Sequence, residues 1–234
     1  VKSRVLTRRG DLLLVRERCL RNRFLTPVLG ATGWDPSTLD AVCAYVGLLH
    51  AESESALEHI VNKTLENSVE VSKNYKTHRV LTNSLLHYRR HLRTRIPELN
   101  LIPKRKFLDA DPRMAVGLWE AHVRDHYHRL LRDNHGAGIK YVEKLLHPLG
   151  IVVDRARFTK LEEGSGLQEI ADVATIGSTD LQEFVALRGV AMHSNLADVA
   201  TRLAVSNPAQ IGKRGRAAAE FTAKLAATIA RSAW

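Results

Sequence analysis

The sequence predicts an all-α fold, an irregular helical bundle, on three observations. Apolar residues recur at spacings of three, four and seven along most of the chain, the period of a helix with one buried stripe. Strand-like character is confined to Ile151-Val-Val153, read as a short extended connector. Helix boundary signals fall at the ends of the periodic runs, among them Asp111-Pro112, Gly177-Ser-Thr-Asp180 and Pro208. With 234 residues, 44% of them hydrophobic, the chain can build one well-buried core or at most two small domains. The division expected is a basic N-terminal helix and connector over 1–35, packed on a helical domain over 36–234.

Each element has its own justification. Residues 2–25 read as a basic helix, interrupted or tilted at Gly10 and ended before Pro27. Ser37, Thr38 and Asp40 are N-cap options for the next helix, whose stripe is Val42, Tyr45, Val46, Leu49, Ala56 and Ile60. It extends to about residue 72, with Asn67-Ser68 as a place for a break. A helix over about 78–93 leads into a loop holding Pro97 and Pro103. Asp111-Pro112 opens a helix to about Asn134, and His135-Gly-Ala-Gly138 resets the chain. Ile139, Val142, Leu145 and Leu146 share the face of a short helix that Pro148-Leu-Gly150 stops. Further helices are expected through Leu167-Gln-Glu-Ile-Ala-Asp-Val, over 181–194, and over about 208–231, where Ile211, Phe221, Leu225 and Ile229 face inward.

Composition narrows the function classes. No apolar run approaches the roughly 20 residues of a membrane helix. The basic start, Val1 to Gly10, lacks the apolar stretch of a secretory signal. Cys19 and Cys43 are too few for a disulfide framework or a thiolate metal site, and read as mostly buried, reduced thiols of a cytoplasmic protein. No Gly-rich phosphate loop, Gly-x-Ser-x-Gly or dinucleotide fingerprint occurs, which disfavours nucleotide triphosphate hydrolysis and serine hydrolase chemistry. His87-x3-His91 and His122-x3-His126-x-His128 have helical metal spacing but cationic surroundings, so they read as solvated histidines and no metal is expected.

Net charge is +10, and it is unevenly spread. Residues 1–23 carry a balance of +6, residues 73–106 of +9 and residues 201–234 of +5, leaving −10 for the rest. That is the footprint of a phosphate-backbone binder, and the bland alternative is three solvated helix faces. Arg89, Arg90, Arg93, Arg95, Lys104, Arg105 and Lys106 are the residues assigned to RNA. Tyr75, Tyr88 and Tyr127 could stack on bases or serve as packing residues, and Trp34 and Trp119 read as core or cap anchors.

The candidate chemistry lies in Leu181-Gln-Glu-Phe-Val-Ala-Leu-Arg-Gly-Val-Ala-Met-His-Ser194. Arg188 is always charged and can clamp a phosphate, whereas His193 titrates near neutrality and can move protons. With 24 arginines and 11 histidines, about one such pair is expected by accident at any fixed spacing. Context separates this pair from Arg129 and His135, which sit at the charged end of a helix. Leu181, Val185, Leu187 and Met192 bring the Arg188 helix to a core, and small Gly189 and Ala191 let a backbone or an RNA strand approach.

The same segment resembles the signature helix of the HEPN superfamily, whose RNases carry Arg-x4–6-His. Tyr45-Val-Gly-Leu-Leu-His-Ala-Glu-Ser-Glu-Ser-Ala-Leu-Glu58 resembles the early helix of prokaryotic members, and Gly138 to Gly150 the helix before the motif. The helix after Pro208 stands where the family has its last bundle helix, so the resemblance spans about residues 36–232. It implies a helical bundle paired as a two-fold homodimer, and cleavage of RNA such as tRNA or mRNA without metal or cofactor. Arg188 would hold the phosphate, and His193 would act as general base or acid. Glu54 would orient one of them, with Glu52 and Glu58 as nearby alternatives. The position after Arg188, polar in many active members, is Gly189 here, and Ser194 and Asn195 are the nearest polar substitutes. The biological role implied is a toxin or antiphage-defence effector held silent by an antitoxin or regulatory protein. The alternatives are a non-catalytic HEPN-like module that binds RNA or protein, and a helical scaffold for acidic proteins.

Overall fold

The computed structural model describes residues 2–31, 33–91, 111–133, 136–153, 157–161, 167–172, 178–193, 196–203 and 206–232. Within these, side chains are described except at residues 2–3, 89–91, 152–180, 193, 196–198, 202 and 232. The architecture is predominantly helical. Four long helices make the centre: α1 (Lys2–Leu20), α2 (Pro36–Asn74), α7 (Ser178–His193) and α9 (Pro208–Ser232). α1 packs on α9 and α2, and α7 packs on both α2 and α9. The shorter α3 (Arg79–His91), α4 (Pro112–Leu118), α5 (Arg124–Arg132) and α6 (Ile139–Leu146) form a second group, of which α3, α4 and α6 pack directly on α2. α8 (Leu196–Leu203) touches α2 and α7.

α1 is not interrupted at Gly10. The helix runs straight through, because hydrogen at that position lets α9 come close: a Cβ on Gly10 would sit 2.8 Å from the Ala223 Cα. α1 ends in a widened turn, Arg21–Leu25, and a 3₁₀ turn, Thr26–Val28, that takes in Pro27. α2 likewise has no break at Asn67-Ser68. Its buried stripe continues through Thr64, Leu65, Ser68, Val69 and Ser72, and the hydroxyls of Thr64, Ser68 and Ser72 donate to carbonyls one turn back. Its N-cap is Asp35, whose carboxylate accepts from the Thr38 amide at 2.8 Å, with Pro36 as the first helical residue.

Asp111 caps α4 as its sequence promised, accepting from the Arg113 amide at 2.9 Å. Between α4 and α5 a widened turn, Trp119–Val123, carries Trp119 and Val123 inward. α6 ends in a 3₁₀ turn, His147–Leu149, and Gly150 takes the left-handed conformation at φ 76°.

The helix expected through Leu167 is instead a strand. β1 (Ile151–Val153), β2 (Arg157–Leu161) and β3 (Leu167–Asp172) form an antiparallel meander in that order. Phe158 pairs with Ala171 and Thr159 with Glu169, so Ile170 is an extra residue. This bulge breaks the alternation of the strand. It gives Leu167, Ile170 and Ala171 a helix-like spacing, which explains the misreading.

Both cysteines are free thiols, but Cys19 is exposed rather than buried. Among the described residues no helix is long and apolar enough to cross a membrane.

Candidate functional site

Leu181 and Phe184 fix α7 on the core, and Val185, Leu187, Val190 and Ala191 pack half-buried around them. Met192 departs from expectation. It is 56% exposed, although its sulfur lies where a Cβ on Gly47 of α2 would meet it at 3.1 Å. That contact sets α2 and α7 close together one turn after Arg188 along α7. Gly189, by contrast, has open space where a side chain would be. A strand of substrate could approach Arg188 from that side.

Opposite Arg188 lies a residue the sequence reasoning did not single out. His50 occupies the apolar stripe of α2, and its side chain is 2% exposed. Burial first, and then the positive charge of Arg188, push its pKa down to about 4, so the ring is neutral at pH 7. Its Nε2 is buried and meets no hydrogen-bonding partner among the described residues. A buried orphan of this kind costs about 1–3 kcal/mol. The only sequence signal was a histidine where the pattern asked for an aliphatic residue, between Val46 and Leu57.

Glu54 follows His50 by one turn on the same face, with its Oε2 4.0 Å from His50 Nδ1. At that separation the two make no hydrogen bond. Glu52 pairs with Arg16 of α1 at 3.0 Å. Glu54 is therefore the acid that shares the histidine face, whereas Glu52 ties α1 to α2. Arg9 of α1 also reaches α2, donating to the Ser55 hydroxyl at 3.1 Å.

His193 is the last residue of α7, and its side chain is among those outside the description. Arg89 and Arg90 lie in the final turns of α3 with undescribed side chains, and Arg93, Arg95, Lys104, Arg105 and Lys106 lie outside the described residues, as does His135. In the first basic segment Arg4, Arg8, Arg18 and Arg23 are exposed. In the last, Arg214 pairs with Glu183 at 2.6 Å and Arg216 with Glu220 at 2.8 Å, which removes part of its charge from any partner. Tyr88 and Tyr127 are buried packing residues and Tyr75 is exposed. Trp119 is a core anchor. Among the described residues no three His, Cys, Asp or Glu side chains converge as metal ligands would.

Comparison of the chain with protein-family models, with curated proteins and with solved structures finds no match.

Proposed function

We propose that this protein is an endoribonuclease of the HEPN type. The ribose 2′-oxygen attacks the adjacent phosphorus, the bond to the 5′-oxygen breaks, and the products are a 2′,3′-cyclic phosphate and a 5′-hydroxyl. One proton leaves the 2′-hydroxyl for a base, and one reaches the departing 5′-oxygen from an acid. Arg188 holds the phosphate and stabilises the charge that gathers on it. His193 transfers the protons. In a two-fold homodimer one copy serves as base and the other as acid. The exposed arginines of α1 and the cationic stretch over 73–106 guide the strand by long-range attraction.

One observation carries the reading above the spacing of two residues. Arg188 stands beside a buried, neutral histidine on the facing helix, next to a side-chain-free position that opens to solvent. An anion bound there would meet the positive charge of Arg188, to which no carboxylate is hydrogen-bonded among the described residues.

The test is cleavage of total RNA in excess EDTA by wild type, Arg188→Ala and His193→Ala. Wild type should leave cyclic-phosphate ends, and each variant should be slower by a factor of about 100 or more. RNA binding by all three without cleavage would assign a non-catalytic module instead. A requirement for Mg²⁺, with activity surviving loss of His193, would refute the mechanism. If the protein is a toxin or defence effector, its expression should arrest growth, and Arg188→Ala should relieve the arrest.

A further inference from the structure

A second concavity of about 490 Å³ lies between α3, α5, α6 and the turn behind α6. It shares no lining residue with the Arg188 site and stands apart from the reading above. Its size falls in the range of pockets for small organic ligands.

Its wall is a row of rings in edge-to-face contact. His147 meets His87 at 4.9 Å between centroids, His87 meets Tyr88 at 5.0 Å, and Tyr88 meets His126 at 5.2 Å. The His147 and His87 Nδ1 atoms are 3.0 Å apart, so one donates and the other accepts. That bond fixes the ring positions. Behind the row, Tyr127 packs on Tyr88 at 6.3 Å, which makes the wall rigid. Leu130 adds an apolar patch.

The rest of the lining is charged. Lys140 and Lys144 are one turn apart on α6, both exposed, and neither forms an ion pair among the described residues. Glu143 lines the cavity between them. A bare inorganic anion would meet that carboxylate as a repulsion. A ligand that also carries a hydroxyl or amine would meet it as an acceptor. Two ammonium groups, a wall of ring edges and one carboxylate acceptor together describe a nucleotide.

We propose that this cavity is a nucleotide-binding pocket: Lys140 and Lys144 hold a terminal phosphate, the ring row takes the base, and Glu143 accepts from a sugar hydroxyl or an exocyclic amine. A free mononucleotide and the phosphorylated end of an RNA strand present this same chemistry.

Titration calorimetry on the full chain separates the outcomes. The probes are the four ribonucleoside 5′-monophosphates, adenosine, inorganic phosphate, and short oligoadenylates with and without a 5′-phosphate. The Arg188→Ala chain is used for the oligonucleotides. At least one mononucleotide, or the 5′-phosphorylated oligonucleotide, should bind tenfold or more tightly than adenosine and phosphate. Lys140→Ala/Lys144→Ala should weaken that binding at least tenfold. Binding also has to shift the ring resonances of His87, His126 and His147. Binding of mononucleotides assigns the pocket to free ligand, and binding of the phosphorylated oligonucleotide alone assigns it to a strand end. The proposal is overturned if neither binds at millimolar concentration. It also fails if bare phosphate binds as tightly, or if the double lysine variant binds like wild type.

Discussion

Two faces of α2, one turn apart, treat a buried polar group in opposite ways. On the face toward α1 and α9, Tyr45 donates to Glu17 at 3.0 Å, and Arg21 donates to the same carboxylate oxygen at 3.1 Å. Glu17 is 3% exposed, yet both lone-pair directions of that oxygen are used. Burial, and then the Glu17 charge, keep the Tyr45 phenol protonated far above its usual range. Gly215 of α9 closes over the Tyr45 hydroxyl with no room for a methyl group. On the face toward α7, His50 is as deeply buried and its Nε2 is unmatched among the described residues. The first arrangement is what stability selects, a satisfied network under close-packed backbone. The second costs stability, and a costly arrangement beside an arginine is where function is to be sought.

The comparison can be broken most forcefully at Glu17. Glu17→Ala leaves the Tyr45 phenol buried without its acceptor and the partly exposed Arg21 without its partner, and should cost about 1–3 kcal/mol in urea denaturation. Next comes the close approach of helices. Gly215→Ala forces Tyr45 or α9 to move and should cost about 1–3 kcal/mol, even though alanine is the better helix former. Gly10→Ala should act the same way at the α1–α9 crossing. Either variant with unchanged stability would show that the satisfied face tolerates looseness.

His50→Leu sharpens the contrast from the other side. It removes an orphaned group for an aliphatic one of similar size, so its stability at pH 7.5 should equal or exceed that of wild type. RNA cleavage should fall, as expected of a residue that positions Arg188. The pH dependence follows from the sign of the His50 shift. The native pKa of about 4 lies below the 6.5 of the unfolded chain. The unfolded state therefore takes up the proton first, and wild type loses stability as pH falls from about 6.5 to 4. The stability gap in favour of His50→Leu should widen over that window. In Arg188→Ala the His50 pKa, followed by NMR, should rise, because one of its two depressing causes is gone. An unchanged value would place burial alone in control.

Most of the helical frame was legible along the chain. The stripe of α2, the Asp111-Pro112 start, the restart at Ile139 and the inward residues of α9 follow from period and capping chemistry, which act over a few neighbours. The failures share one cause, contacts with residues distant in sequence. Gly10 looked like a break because its partner Ala223 is more than two hundred positions away. Leu167–Asp172 looked helical because a bulge, defined only by pairing with β2, shifted its apolar spacing. At the candidate site, Arg188 and Glu54 were found from residue type and family pattern. His50 was passed over because an isolated histidine in an apolar stripe has no meaning until another helix faces it.

By itself, then, the sequence determined the helical class, most element boundaries and the segment that carries Arg188 and His193. These rest on local periodicity, caps and residue chemistry. Only the tertiary structure decided that α1 passes unbroken beneath α9, that Glu52 is spent on α1 while Glu54 keeps the company of His50, and that Arg188 lowers the pKa of a buried imidazole. Close approach, charge coupling and burial are properties of pairs of surfaces, and neither surface holds them alone.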